Sequence, residues 1–401
     1  MRQSRRSFLD VLAGGRSVRD TDAGLWIAAR GHEEYQAQAA QGTPPPRRPE
    51  LPPGVKAIRI SSNENPLGPG KAALDAIMRK FPEAGRYPFN ATPADSALVN
   101  AIATKSGAKP ENVVLGAGSQ EILKSAVRAF TSPTRGLVTA APSFENCPQL
   151  AKKLGHPVIE VKVDAALRLD LDGMAAAAKG AGLVFLNNPN NPTATVHGGK
   201  AVAEFVQKVR AASPDTVILI DEAYHDYVTD PSYESAIPLA MQTPNVFVAR
   251  TFSKAYGMAG LRVGYAIGQA STMKPMAQLK MPYNVSVFGV AAALAAFADA
   301  KHIEEERARN THVRAFTVKA LEDMGVKSSD SQGNFLFVET GRPADQFRDA
   351  CAKQGIMVGR PFPPLEKTHA RISIGTMDEM KKATAVFRDV LRPVTTTAGR
   401  K

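Results

Sequence analysis

From about residue 95 the chain alternates between short uninterrupted apolar runs and longer stretches whose apolar positions recur every three to four residues. Val113–Leu115, Gly136–Thr139, Leu183–Leu186, Thr216–Ile220 and Asn245–Ala249 are the apolar runs; Gln120–Phe130 is typical of the helical stretches. A strand that is apolar on both faces needs helices on both sides, the arrangement of a parallel sheet. The pattern therefore predicts an α/β three-layer sandwich with a mostly parallel sheet over residues 88–290. Two flanking pieces read differently. Ala57–Ser61 is a short strand before a helix at 70–80, and Ala291–Ala320 is one long helical segment. It leads to a strand at Asn334–Glu339, a helix near 343–354 and a strand at Arg371–Gly375. Residues 55–87 and 291–395 are expected to form a smaller α+β domain, with 1–54 as a separate N-terminal leader and linker. In open α/β sheets chemistry collects beyond the carboxyl ends of the strands. Segments 116–120, 142–144, 187–193, 221–224 and 251–254 all follow an apolar run.

Bulk properties narrow the classes. With 401 residues, 44% hydrophobic and 22% charged, the chain supports a large core. No apolar run reaches the ~18 residues of a membrane-spanning helix. The formal charge of +12 is spread along the chain without a Lys/Arg block or a nucleic-acid module. It predicts anionic small-molecule ligands and no nucleic-acid or membrane partner. Two cysteines, Cys147 and Cys351, exclude a disulfide framework. Ser4-Arg5-Arg6-Ser7-Phe8-Leu9 matches a twin-arginine export signal. Asp10, Arg16, Arg19, Asp20 and Asp22 break up the apolar segment that should follow. The leader thus leaves two destinations open, the periplasm and the cytoplasm. Thr43–Pro49, with Pro52 and Pro53, reads as an extended linker.

The segment Thr251–Arg262 carries the sharpest chemical signal. Lys254 sits beside Ser253, with small residues between it and Arg262. A lysine that anchors a carbonyl cofactor covalently sits on a tight turn, partly out of water. Small residues let the backbone approach a bound group, and an arginine can hold a phosphate bidentately. Alone, the stretch reads better as a surface lysine and a structural arginine in a glycine-rich loop. Its companions decide: Asn187-Asn188-Pro189-Asn190-Asn191-Pro192-Thr193, Asp221-Glu222-Ala223-Tyr224 and Arg371-Ile372-Ser373-Ile374-Gly375. With these motifs in this order, residues 55 to 392 resemble the fold-type-I aminotransferases that use pyridoxal phosphate. Asn63-Glu64-Asn65-Pro66-Leu67-Gly68 and Tyr283-Asn284-Val285 point to the histidinol-phosphate aminotransferase branch.

The resemblance implies a role for each position. Lys254 would be the covalent anchor and proton carrier, and Asp221 the anion facing the pyridine nitrogen. Tyr224 and Asn191 would contact the phenolic oxygen, and Phe144 would stack on the ring. Gly118, Ser119, Gln120, Ser253 and Arg262 would cradle the phosphate at a helix N-terminus. Tyr87 would reach that phosphate from a second subunit, making the protein a homodimer. Arg371 would fix the anionic group of the substrate, with Asn334 and Arg360 in the same pocket. The implied reaction is ping-pong amino transfer between an amino acid, or an amino-alcohol phosphate such as histidinol phosphate, and a 2-oxo acid. No metal is implied. Other readings are another pyridoxal-phosphate reaction, such as decarboxylation or elimination, and a non-catalytic ligand sensor on the same scaffold. Ser106-Gly107-Ala108-Lys109 matches the Ser-x-x-Lys of acyl-serine enzymes only formally, since that class's partner motifs are absent. Three departures from the family pattern stand out. Ala194 replaces the usual glycine after Asn-Pro-Thr and implies a different turn. Gln120 stands where the branch carries Asp, and Gly359–Pro364 replaces a simpler Val-Arg-Pro.

Overall fold

The computed structural model describes residue 51, residues 54–88 and residues 96–391. The twin-arginine motif and the proline-rich stretch lie outside the described residues. In chain order the principal elements are β1 (Ile58–Ile60), α1 (Lys71–Lys80), α2 (Ala97–Lys105), β2 (Val113–Gly116), α3 (Ser119–Phe130) and β3 (Leu137–Ala141). Then come α4 (Asn146–Lys153), β4 (Val158–Lys162), α5 (Leu171–Ala177), β5 (Leu183–Asn187), α6 (Gly199–Ala212) and β6 (Val217–Asp221). α7 (Ile237–Gln242), β7 (Val246–Thr251), β8 (Gly264–Gly268), α8 (Ala270–Gln278), α9 (Val287–Ala298) and α10 (Ala300–Glu322) follow. The chain closes with β9 (Phe335–Glu339), α11 (Ala344–Ala352), β10 (Ile356–Val358), β11 (His369–Ser373) and α12 (Met377–Val390).

A seven-stranded sheet, ordered β2-β8-β7-β6-β5-β3-β4, forms the centre of the larger lobe. All its pairings are parallel except those of β8, which runs antiparallel to both β2 and β7. Successive side chains of a strand point to opposite faces, and here each face has its own core. Leu183, Phe185, Val217, Leu219 and Phe247 pack with Ile122, Leu123 and Ala126 of α3. Val184, Leu186, Ile218, Ile220 and Val248 pack on the other side with Val202, Phe205 and Val206 of α6 and with Ile102 of α2. That double burial explains why these strands read as continuous apolar runs. Each such side chain contributes about 1.5–3 kcal/mol. The two thiols are buried and unpaired to each other; burial pushes the Cys351 thiol up to about 12.

The smaller core joins β1, paired parallel with β10, to the antiparallel pair β9–β11 and helices α11 and α12. The single helix expected over 291–320 is two helices. Asp299 ends α9 and caps α10, its carboxylate accepting a hydrogen bond from the His302 amide at 3.2 Å. Strands β4, β8 and β10 are further additions to the sequence-based elements. Both β8 termini are glycines, and β4 faces solvent at the sheet edge, so neither shows a plain apolar run. α1 lies along α9, with Phe81 and Phe288 rings 5.2 Å apart.

Candidate active site

Sheet register brings the predicted motifs together. Asn187 pairs with Asp221 and Asp221 with Ala249, so β5 and β6 end level and β7 runs two residues further, to Thr251. The antiparallel β8 starts at the same edge: Gly264 pairs with Gly116 on one side and Thr251 on the other. Arg262, two residues before β8, is thereby brought against Gly118, at the start of α3. No parallel strand would deliver it there.

At that helix start Gly118 has φ +76°, and a Cβ on it would come 2.2 Å from an Arg262 guanidinium nitrogen. A Cβ on Gly264 would come 2.4 Å from the Ser119 amide nitrogen. Arg262 therefore lies over the N-terminus of α3, where amide hydrogens and the helix dipole favour an anion. Its guanidinium also donates to Ser253 Oγ at 3.4 Å. Gln120 is half-buried in the first turn of α3. The predicted cradle is thus assembled from three separate chain segments.

Asp221 is buried at the end of β6, and its Oδ1 has no hydrogen-bond partner among the described residues. Burial pushes its carboxyl up to about 7, with the neighbouring Glu222 adding to the rise and Lys254 opposing it. Such a group calls for a cation. Glu222, beside it, is held by Arg250 Nε and Nη2 at 3.0 and 2.8 Å, Ser235 Oγ at 2.9 Å and the Ala236 amide at 2.6 Å. His225 lies behind this network, and burial with Arg250 nearby pushes its imidazole down to about 2, so it stays neutral.

Lys254 Nζ lies 5.6 Å from the centre of the Tyr224 ring and donates to the Ser62 carbonyl at 3.2 Å. Arg371, which is buried where Lys254 is half-buried, donates to the preceding carbonyl, Ser61, at 2.6 Å and to Asn191 Oδ1 at 2.8 Å. Two consecutive carbonyls after β1 therefore hold the lysine and the arginine side by side. The Tyr224 hydroxyl accepts a hydrogen bond from Asn63 Nδ2 at 3.0 Å, which leaves its own hydrogen to donate. Asn334 is buried, its Nδ2 donating to the Asn63 carbonyl at 3.0 Å. Phe144 is half-buried against the core beside α3. The Asn187–Thr193 loop is tied to Phe144's loop through Asn190, which accepts from Ser143 Oγ at 2.8 Å and donates to the Pro142 carbonyl at 3.0 Å.

Two predicted residues have other neighbours. Arg360 forms a two-pronged pair with Glu145. Tyr87 is 80% exposed and stacks on Tyr283 at 4.8 Å. Ala194 corrects the expectation of a different turn: its φ of +59° keeps the left-handed conformation a glycine would adopt. Asn63 and Glu145 are site neighbours that sequence reasoning left without a role. Asn63 was visible as part of a motif, whereas nothing local marked Glu145.

The donor set fits pyridoxal phosphate. It combines an orphaned buried carboxylate oxygen, an anion cradle only glycine permits, a lysine amine and a tyrosine hydroxyl. Comparison with known proteins agrees. Residues 55–387 match the family described as aminotransferase class I and II, and the chain belongs to that family. Histidinol-phosphate aminotransferase of Moorella thermoacetica is 33% identical over 84% of this chain and 86% of its own. That of Akkermansia muciniphila is 35% identical over 83% and 90%. The crystal structure of histidinol-phosphate aminotransferase from Sinorhizobium meliloti, in complex with pyridoxal-5'-phosphate, superposes with a TM-score of 0.78. It has 28% identity and covers 90% of this chain and 94% of that one. Within the family the chain falls in the histidinol-phosphate aminotransferase branch and is a pyridoxal-phosphate-dependent transaminase.

Proposed function

We propose that the chain carries out ping-pong transfer of an amino group from histidinol phosphate, or an amino acid of similar size, to a 2-oxo acid, at the site around Lys254. One observation carries this reading: the Ser61 carbonyl and Asn191 hold Arg371 where the next carbonyl, Ser62, holds Lys254. A substrate anchored there by its phosphate or carboxylate brings its amine toward the lysine. When bound, pyridoxal phosphate supplies the electron sink that makes bonds at the amine-bearing carbon labile. Lys254 Nζ would be the covalent anchor and, once released, would carry a proton from that carbon and back. Asp221 would hold the charge of the pyridine nitrogen. Tyr224 and Asn191 would bind the phenolic oxygen, and Phe144 would cover the ring. Gly118, Ser119, Gln120, Ser253 and Arg262 would bind the phosphate, while Asn334 and Arg360 would border the substrate.

The unit in this proposal is a homodimer, with Tyr87 serving the partner's phosphate, a large lobe over 88–290 and a small one over 55–87 and 291–395. Exposed apolar side chains around α1 and α9, among them Leu67, Met78, Phe81, Met281 and Tyr283, support it. The Ser4–Leu9 motif speaks for export of the folded enzyme and the charges that follow it for the cytoplasm; fractionation of cells making the full chain decides between the two.

The test of the reaction is a single half-turnover. Cofactor-loaded protein is mixed with each of a panel of donors, histidinol phosphate included, without an acceptor. One equivalent of oxo product per site, formed at a rate matching turnover, is the expected result. Release of carbon dioxide or ammonia instead would overturn transamination as the reaction.

A further inference from the structure

Tyr224 has two freedoms, the tilt of its ring and the direction of its hydroxyl hydrogen. Packing removes the first: the ring is buried and meets Phe335 edge-on, with centroids 4.8 Å apart. The second depends on Asn63, whose Nδ2 lies 3.0 Å from the hydroxyl. An amide can present its nitrogen or its oxygen, so the way the Asn63 amide is turned decides whether the phenol accepts or donates there.

Ser373, the last residue of β11, settles the turn of that amide. The Asn63 backbone amide donates to Ser373 Oγ at 2.8 Å, and the same oxygen lies 2.7 Å from Asn63 Oδ1. A backbone N–H can only donate, so Ser373 Oγ accepts from it and still has its own hydrogen to place. Ser373 is buried and bonds no other acceptor among the described residues, so this hydrogen goes to Asn63 Oδ1. Turning the amide over would set its nitrogen against Ser373 and leave a buried hydroxyl hydrogen unmet, which folded proteins avoid. The nitrogen therefore faces Tyr224, and the phenol's hydrogen is directed away from Asn63. The frame that does this is held on both sides. Asn63 is fully buried at φ +54°, a left-handed position that asparagine tolerates better than most residues, and Asn334 Nδ2 donates to its carbonyl at 3.0 Å.

We propose that Asn63 and Ser373 are positioning residues that act through Tyr224, fixing its hydroxyl as a donor toward the phenolic oxygen of the cofactor. The inference rests on the reading of Tyr224 as a contact of that oxygen. The direction of this one hydrogen has a chemical consequence. A donor on the phenolic oxygen stabilises negative charge there. That charge is least balanced once the nitrogen linking Lys254 to the cofactor has lost its proton, so the donor lowers the pH at which the proton leaves. A phenol that accepts from Asn63 is also the stronger donor on its other side. Strand β11 thus sets the polarity of a bond made from the turn after β6.

Visible absorbance of the cofactor-loaded protein, titrated with pH, reads that proton without turnover. Tyr224→Phe should raise the midpoint by about one to two pH units, the scale of one hydrogen bond to a charged group. Asn63→Gly removes the donor to Tyr224 and suits the φ of +54°. Ser373→Ala touches neither Tyr224 nor the cofactor but frees the Asn63 amide to turn its oxygen toward the phenol. Each of these two should raise the midpoint by about half a unit or more. No variant changes a charge, and Asp221 and Arg371, the charged groups beside Lys254, stay in all of them. With Tyr224→Phe already present, Asn63→Gly and Ser373→Ala should add nothing, because their effect passes through the hydroxyl they direct. Equal shifts with and without that hydroxyl would mark a merely structural role and overturn the proposal, as would no shift from either variant while Tyr224 is present. An unmoved midpoint in Tyr224→Phe itself instead overturns the placement of Tyr224 at the phenolic oxygen, and this inference with it.

Discussion

At the scale of single residues, Asp221 and Ala194 each carry a cost that the site explains. Burial holds the Asp221 carboxyl protonated up to about 7 in the cofactor-free protein, whereas an unfolded chain releases that proton near 4. The folded state therefore binds more protons between those values. The stability this group confers is complete below about pH 4 and is lost as pH rises to about 7, on the order of 4 kcal/mol in all. Urea midpoints of the cofactor-free protein should fall across that window, and Asp221→Asn should flatten the fall. A wild-type profile as flat as the variant's would show that Asp221 is already paired. Ala194 poses a problem of sign. Its left-handed backbone costs roughly 1–2 kcal/mol, which a glycine would relieve. Glycine, however, adds about 0.4–1 kcal/mol of chain entropy and removes a fully buried methyl worth about 0.8 kcal/mol. These offset, so Ala194→Gly is expected to leave the thermal midpoint within a few degrees. Ala194→Val, β-branched at φ +59°, should lower stability by roughly 2 kcal/mol or more. A valine variant of wild-type stability would show that the turn relaxes.

At the scale of elements, the site is a consequence of where strands stop. Strands β5, β6 and β7 were legible because two-sided burial writes itself as an apolar run, and the motifs at their ends followed from that. β8 was not legible: five residues bounded by glycines carry too little pattern, and antiparallel pairing breaks the strand–helix rhythm. Yet β8 is what brings Arg262 onto the start of α3. The family resemblance supplied Arg262's expected role, and only the pairing of Gly264 with Gly116 and Thr251 supplied the reason. Asn63 and Glu145 escaped for a different reason, since their partners Tyr224 and Arg360 lie 161 and 215 residues away. The Gly118 position tests the cradle directly. Gly118→Ala puts a methyl at φ +76° and 2.2 Å from Arg262. The backbone alone costs of order 1–3 kcal/mol, and Arg262 must leave the helix start. Cofactor affinity should drop at least about tenfold with Lys254 untouched. Wild-type affinity in that variant, measured by dialysis against pyridoxal phosphate, would remove the α3 terminus from the phosphate site.

At the scale of the whole molecule, the question is why so much apolar surface around α1 and α9 faces outward. Met78, Phe81, Met281 and Tyr283 are all exposed, as is Tyr87 stacked on Tyr283. In the proposed dimer, association of two copies would bury these side chains, as exposed apolar surface favours. An aspartate placed there is stable in a monomer and costs several kcal/mol once desolvated. Phe81→Asp should therefore weaken dimerisation by roughly two orders of magnitude, read by sedimentation equilibrium, while the fold persists by circular dichroism. Tyr87 sharpens the test. Tyr87 is 80% exposed in its own chain, and in the proposed dimer its hydroxyl acts on the partner's cofactor. Tyr87→Phe keeps the ring and the stacking on Tyr283 and removes only the hydroxyl. It should leave the dimer intact and weaken cofactor binding about tenfold to a hundredfold, the worth of one hydrogen bond to a charged group. Phe81→Asp should weaken cofactor binding by a similar factor although Phe81 touches no part of the site. If Phe81→Asp yields monomers that hold the cofactor as tightly as wild type, each site is complete within one chain, and the exposed patch has nothing to do with catalysis.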